Sequence, residues 1–244
     1  MKLLLLLMLF VGVTLSPAEK KLTVHLVGDS TMSMKDVRAY PETGWGMAFS
    51  NYVNDAVVVR NYARNGRSTR SFREEGLWQY VLDAMHPGDY VFVQFGHNDE
   101  DQRKDRSTTP EEFAFYLEAY VKETLEAGGI PILLTPVARR KFDSAGNLID
   151  THEQYSGIMR RVARELDVKL IDMDAKSQAL LADLGEAESR YLFNHLEAGQ
   201  NPNYPDGLTD DTHFNEFGAR MIAELVLQGI KDVAPELSEA LLRR

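Results

Sequence analysis

Four short stretches of the 244-residue chain carry side chains that could do chemistry together: Gly28-Asp29-Ser30, Asn65-Gly66-Arg67, Gly96-His97-Asn98-Asp99 and Asp210-Asp211-Thr212-His213. Acyl transfer needs a hydroxyl nucleophile, a neutral imidazole to take its proton, and a carboxylate to orient that imidazole. Ser30 and His213 supply the first two. Asp210 stands three residues before the histidine, a spacing that lets it face one ring nitrogen while the other points at Ser30. On residue type alone, Asp29 beside the serine and Asp211 near the histidine compete for the same role. The reaction also needs donors aimed at a developing oxyanion. Three are at hand: the Ser30 N–H, the Gly66 N–H, which has no side chain to block a substrate, and the Asn98 side-chain amide.

Each residue also has a plainer reading. A serine after a strand can be a helix N-cap, and a lone glycine is more often a turn. His97 fits a second base, a metal ligand or a residue shaping the floor of a site, and the last is favoured. Trp45 reads as packing more than as a sugar platform. Arg67 and Arg70 are divided between salt bridges on a helix face and a hold on an anionic substrate. Tyr191, Phe193 and Tyr204 border a loop that could line a sugar cleft or serve turn and core roles. His25, His86, His152 and His195 are assigned structural or exposed positions.

The elements that must position these residues alternate in type. Strand patterns occupy Leu22–Val27, Ala56–Asn61, Tyr90–Phe95, Ile130–Leu134 and Val168–Ile171. Helical spacing covers Gly46–Asn54, Arg70–Met85, Pro110–Ala127, Tyr155–Leu166, Asp172–Leu184 and Glu216–Gln228. Pro110 suits the first turn of its helix, Thr109 its N-cap, and Gly128-Gly129 its stop. This rhythm predicts an α/β chain: a five-stranded parallel sheet covered on both faces, as in a flavodoxin-like three-layer αβα sandwich. In such a sheet the loops after the first three strands share one edge, where ligands bind. The segment ahead of the last helix, carrying Asp210 and His213, reads as a loop that can reach the same edge.

Lys2, the apolar run Leu3–Val13 and Ser16-Pro17-Ala18 match a secretory signal peptide over residues 1–18, leaving 19–244 as a single domain. The expectation is a secreted or periplasmic protein with no membrane span in the mature chain. The formal charge is −10 and becomes −11 without that leader, which holds one lysine and no acid. An acidic chain argues against nucleic acid as a partner, so an anionic substrate must be met by local arginines. With no cysteine, thiol nucleophiles and cysteine-based zinc sites are excluded.

Gly28-Asp29-Ser30, Gly66, Gly96-His97-Asn98-Asp99 and Asp210-x-x-His213 resemble, in order, the four blocks of the SGNH (GDSL-like) hydrolases. The family's named Ser, Gly, Asn and His fall on Ser30, Gly66, Asn98 and His213. The resemblance favours Asp210 over Asp211 as the acid and leaves Asp29 a bracing role. Gly28-Asp29-Ser30-Thr31, Gly44-Trp45-Gly46, Asn65-Gly66-Arg67-Ser68-Thr69-Arg70-Ser71-Phe72 and Asp211-Thr212-His213-Phe214 are similar to one branch, the rhamnogalacturonan acetylesterases (carbohydrate esterase family 12-like). That likeness implies a secreted serine esterase removing acetyl groups from pectin, an acetylated plant cell-wall polysaccharide. It implies no metal and no organic cofactor. It keeps Trp45, His97, Arg67 and Arg70 as substrate-binding candidates. An esterase for acetylated xylan or small acetyl esters is the nearest alternative. A metal-dependent hydrolase using His97, Asp99, Asp211 and His213, or a silent carbohydrate-binding protein on the same fold, are rivals from other classes.

Overall fold

The stretches LTVHLVG, YVFVQ and IPILL are apolar at most positions, the pattern of strands covered on both faces. The computed structural model describes residues 21–241; the leader read at 1–18 lies outside them. Five strands, β1 (Leu22–Gly28), β2 (Val57–Asn61), β3 (Tyr90–Gln94), β4 (Ile130–Leu134) and β5 (Lys169–Ile171), form one parallel sheet in the order β2-β1-β3-β4-β5. This is the flavodoxin-like order, and its switch point lies between β1 and β3. There Leu26 pairs with Phe92, and Gly28 with Gln94. The loops after the two strands therefore leave the sheet side by side.

Alternation along each strand feeds two cores. Val24, Leu26, Phe92 and Ile132 pack on one face with Trp45, Phe49, Ile222 and Val226. Val27, Val91, Val93 and Leu133 pack on the other with Phe72, Trp78, Phe113 and Leu117. The helices covering them are α1 (Trp45–Phe49), α2 (Thr69–Glu74), α3 (Leu77–Ala84), α4 (Pro110–Glu126), α5 (Glu153–Glu165), α6 (Met173–Ser189) and α7 (Glu216–Val233), with a short α8 (Pro235–Glu239) beyond. Thr109 caps α4 in a reciprocal box with Glu112, and Pro110 opens it, a cap contributing about 1 kcal/mol. None of the helices of the described residues is long and apolar enough to cross a membrane.

Two expectations change. The single helix read at Arg70–Met85 is two helices, α2 and α3, because Gly76 between them takes φ +74°, a left-handed turn that interrupts helical bonding. The segment before the last helix is a strand, not a loop: β7 (Leu208–Phe214) pairs antiparallel with β6 (Phe193–Leu196). The register slips inside this pair. Neighbours Phe193 and Asn194 face Phe214 and Asp210, so Asp211, Thr212 and His213 bulge out of the ladder. Such bulges re-aim side chains.

Candidate active site

Ser30 sits in the turn that ends β1. Asp29 braces the turn: its Oδ1 accepts from the Thr31 N–H at 2.9 Å and the Thr31 hydroxyl at 2.8 Å. Backbone packs closely behind it. A Cβ at Gly44 would stand 2.1 Å from the Ser33 carbonyl oxygen, and one at Gly46 would stand 2.5 Å from that of Met32. The Gly44-Trp45-Gly46 triplet thus lets α1 close on the nucleophile loop. Trp45 is fully buried and gives its indole N–H to Gln94 Oε1 at 2.8 Å. It is a packing residue, and its candidacy for substrate binding is withdrawn.

The bulge in β7 carries His213 over Ser30. His213 Nε2 lies 2.9 Å from Ser30 Oγ, and its Nδ1 lies 2.7 Å from Asp210 Oδ2. The other Asp210 oxygen accepts from the N–H groups of Thr212 at 2.8 Å and His213 at 3.0 Å. Burial pushes the Asp210 carboxyl up, but the bonds from His213 and Thr212 outweigh it and hold the group below the usual carboxylate range. The competing acids are engaged elsewhere. Asp211 Oδ1 binds His195 Nε2 at 2.8 Å and Arg140 Nη1 at 2.9 Å. Asp29 is buried under Thr31.

Gly66 follows β2 with φ +76°, a conformation in which a side chain is strained. Among the described residues neither the Ser30 nor the Gly66 backbone N–H finds a protein acceptor, which leaves both open to a substrate oxygen. Asn98 is fixed at both ends of its amide. Nδ2 donates to the Arg67 carbonyl at 3.0 Å, and Oδ1 accepts from Arg106 Nε at 3.3 Å. Asp99 ties the same loop to the start of α2. Its Oδ1 accepts from the Thr69 N–H at 3.0 Å, the Thr69 hydroxyl at 2.5 Å and the Thr108 hydroxyl at 3.1 Å. Burial pushes its carboxyl up to about 7.

Ser30, His97, Asn98, Thr212 and His213 share a cleft of about 610 Å³ with Arg139, His152 and Tyr155. His97 is buried in its floor, and burial drives its pKa well below the ordinary value, so its ring is neutral. The His152 ring stands edge-on to it at 4.4 Å and binds Glu100 through Nδ1 at 2.8 Å. Arg67 is not free: it grips Glu75 Oε2 through Nε and Nη2 and the Asn65 carbonyl through Nη1. Arg70 is held by the Asp105 carbonyl and lies near Glu74. Of the side chains of the metal reading, Asp99, Asp211 and His213 face separate partners, and among the described residues no group of three or more His, Cys, Asp or Glu is arranged to hold a metal ion.

Sequence reasoning missed Lys35. Its stem is nearly buried at 2% exposure, and its ammonium contacts Glu42 at 2.6 Å, the Ser30 carbonyl at 2.6 Å and Asn65 Oδ1 at 2.8 Å. It joins the nucleophile loop to the loop bearing Gly66. A lysine in a polar loop gives no sign of this, because Ser30, Glu42 and Asn65 meet it through the folding back of two loops and not through a regular local spacing.

A hydroxyl, imidazole and carboxylate in line at the carboxyl edge of a three-layer parallel α/β sandwich define a serine hydrolase of the kind that works on acyl groups. The chain belongs to the GDSL-like lipase/acylhydrolase family, whose model matches residues 26–221. Over 227 residues it is 40% identical to the rhamnogalacturonan acetylesterase RhgT of Bacillus subtilis (strain 168), spanning 93% of this chain and 97% of that one. A rhamnogalacturonan acetylesterase of Emericella nidulans is 28% identical over 255 residues, with 95% of this chain and 94% of the other covered. Among solved structures, the Bacillus subtilis protein YxiM superposes with a TM-score of 0.74 at 27% identity; 87% of this chain matches just over half, 56%, of that one.

Proposed function

We propose that this protein is an exported serine esterase that removes acetyl groups from pectic polysaccharide. The observation that carries the reading is the unbroken chain Asp210–His213–Ser30, with contacts of 2.7 and 2.9 Å opening into the cleft. The names of the relatives supply the polymer, and the sequence of the first eighteen residues supplies export.

In this reading Ser30 Oγ attacks the acetyl carbonyl carbon and passes its proton to His213 Nε2. The carbonyl electrons move onto oxygen, where the Ser30 and Gly66 N–H groups and Asn98 Nδ2 offset the negative charge. Asp210, ionised, stabilises the imidazolium that forms. Collapse expels the sugar oxygen, which takes the proton back from His213, and leaves acetyl-Ser30. Water then attacks by the same route, with His213 as base, and frees acetate and the serine.

The test is acetate release from acetylated pectins and acetylated xylans, with Ser30→Ala in parallel. Release from pectin that is lost in the variant supports the proposal. Preference for xylan would move the assignment to the nearest alternative, and activity surviving in Ser30→Ala would overturn the serine mechanism.

A further inference from the structure

A galacturonate polymer brings a carboxylate on the very sugar that bears the acetyl group. In an acidic protein a cation near the site must receive it. Most guanidinium and ammonium groups around the cleft are already matched to acids: Arg67 to Glu75, Arg70 to Glu74, Arg103 and Lys104 to Asp101, and Arg139 to Glu100. Arg106 differs. Its one side-chain bond is Nε to Asn98 Oδ1, and among the described residues no carboxylate stands within ion-pair distance of it. Its guanidinium carbon lies 3.5 Å from where a Cβ on Gly66 would be, so the group rests on the open face of the oxyanion glycine.

Arg106 lines a groove of about 400 Å³ with Gly66, Arg67, Ser71 and Lys104; Asp105 is an acid there beside Glu75. Its loop is fastened. The Thr108 N–H donates to the Asp99 carbonyl at 2.9 Å, and Gln102 Nε2 donates to the Thr108 carbonyl at 2.9 Å. The side chain is half-buried, so a bound anion meets a partly desolvated cation on an anchored segment. Since guanidinium is a donor only, its bond also dictates that the Asn98 oxygen faces it and that the amide N–H₂ turns the other way, as oxyanion stabilisation requires.

Resting on the acetylesterase reading above, we propose that Arg106 selects the substrate: its Nη1 and Nη2 receive the uronate carboxylate of the acetylated sugar, while its Nε keeps its hold on Asn98. The planar fork suits a carboxylate in two-point contact. The geometry thus replaces Arg67 and Arg70 with a residue that the sequence left unmarked.

The experiment compares two small substrates differing only at the carboxyl group, a monoacetylated methyl galacturonoside and its uncharged carboxyl methyl ester. Inhibition of 4-nitrophenyl acetate hydrolysis by unacetylated galacturonate oligomers and by their methyl esters gives a second readout that needs no activity on pectin. For the unaltered enzyme we expect kcat/KM to favour the free acid about tenfold or more, and the acid to be the better inhibitor by a similar factor, as a charge-assisted pair implies. In Arg106→Gln both ratios fall to near one, Arg106→Lys keeps part of them, and Arg67→Gln leaves them intact. Added salt narrows the preference. A wild-type enzyme indifferent to the carboxylate overturns the inference, as does an Arg106→Gln enzyme that keeps the preference or an Arg67→Gln enzyme that loses it. Failure on every acetylated pectin, with acid-selective inhibition retained, would overturn the polymer assignment and leave Arg106 standing.

Discussion

Replacing Asp210 by asparagine changes one atom, and the surroundings dictate how the new amide must lie. The Oδ1 position accepts two backbone N–H groups, from Thr212 and His213. Both are donors fixed by the chain, so the amide oxygen has to stay there. The N–H₂ group is then forced against His213 Nδ1, where the carboxylate oxygen stood at 2.7 Å. A donor facing Nδ1 demands a lone pair on that nitrogen, and a neutral ring puts its proton on Nε2, pointing at Ser30 Oγ. The imidazole then presents a hydrogen where it should accept one. The variant also loses the negative charge that stabilises the imidazolium. In a serine protease the corresponding exchange lowers kcat about 10⁴-fold, or about 5.5 kcal/mol of barrier, and the same magnitude is expected here. Asp211→Asn is the control. Its oxygen meets His195 and Arg140, donors that an amide oxygen can still serve, and the expected loss is under about threefold, as for surface charges generally. The assay is steady-state kcat for 4-nitrophenyl acetate, with nitrogen NMR of the imidazole to read the tautomer. An Asp210→Asn enzyme within tenfold of the original, or an Asp211→Asn enzyme equally impaired, would refute the assignment of the acid.

Asn98→Ala should lower kcat about 10²–10³-fold with KM little changed, because its amide faces charge that exists mainly in the transition state; a change confined to KM in initial-rate measurements would make Asn98 a binding residue. Asp99 predicts a pH effect on stability. Its folded pKa of about 7 exceeds the usual 3.8, so the native state holds a proton between these values that the unfolded chain has released. Its contribution therefore falls as pH rises from about 4 to about 7, then levels, by at most about 4 kcal/mol. Neutral buried His97 contributes with the opposite sign below its ordinary pKa, so the test is a difference. Urea unfolding at both ends of the range should show Asp99→Asn gaining on the original protein as pH rises, and a pH-independent gap would contradict the burial argument.

What the sequence disclosed, and what it hid, follows from where each residue finds its partners. The strands β1, β3 and β4 were legible because both their faces are buried, which forces apolar residues into nearly every position. That Ser30, Gly66 and Asn98 stand together was legible because a parallel sheet sends its loops to one edge; His213, on β7 outside that sheet, was legible through the family resemblance. Lys35, His152 and Arg106 were not. Each is a polar side chain in or beside a loop segment, and its role comes from a partner distant in sequence or from the partner that it lacks. The choice between Asp210 and Asp211 shows the limit most clearly. Had the segment been recognised as a strand, period-two alternation would have put Asp211 and His213 on one face and Asp210 on the other, and favoured the wrong acid. The chain escapes that rule because Asp211, Thr212 and His213 leave the ladder between Asn194 and Phe193. Asp210 caps the departing turn through the Thr212 and His213 N–H groups. The same carboxylate therefore shapes the bulge with one oxygen and orients the imidazole with the other, so the local fold and the orientation of His213 depend on a single side chain.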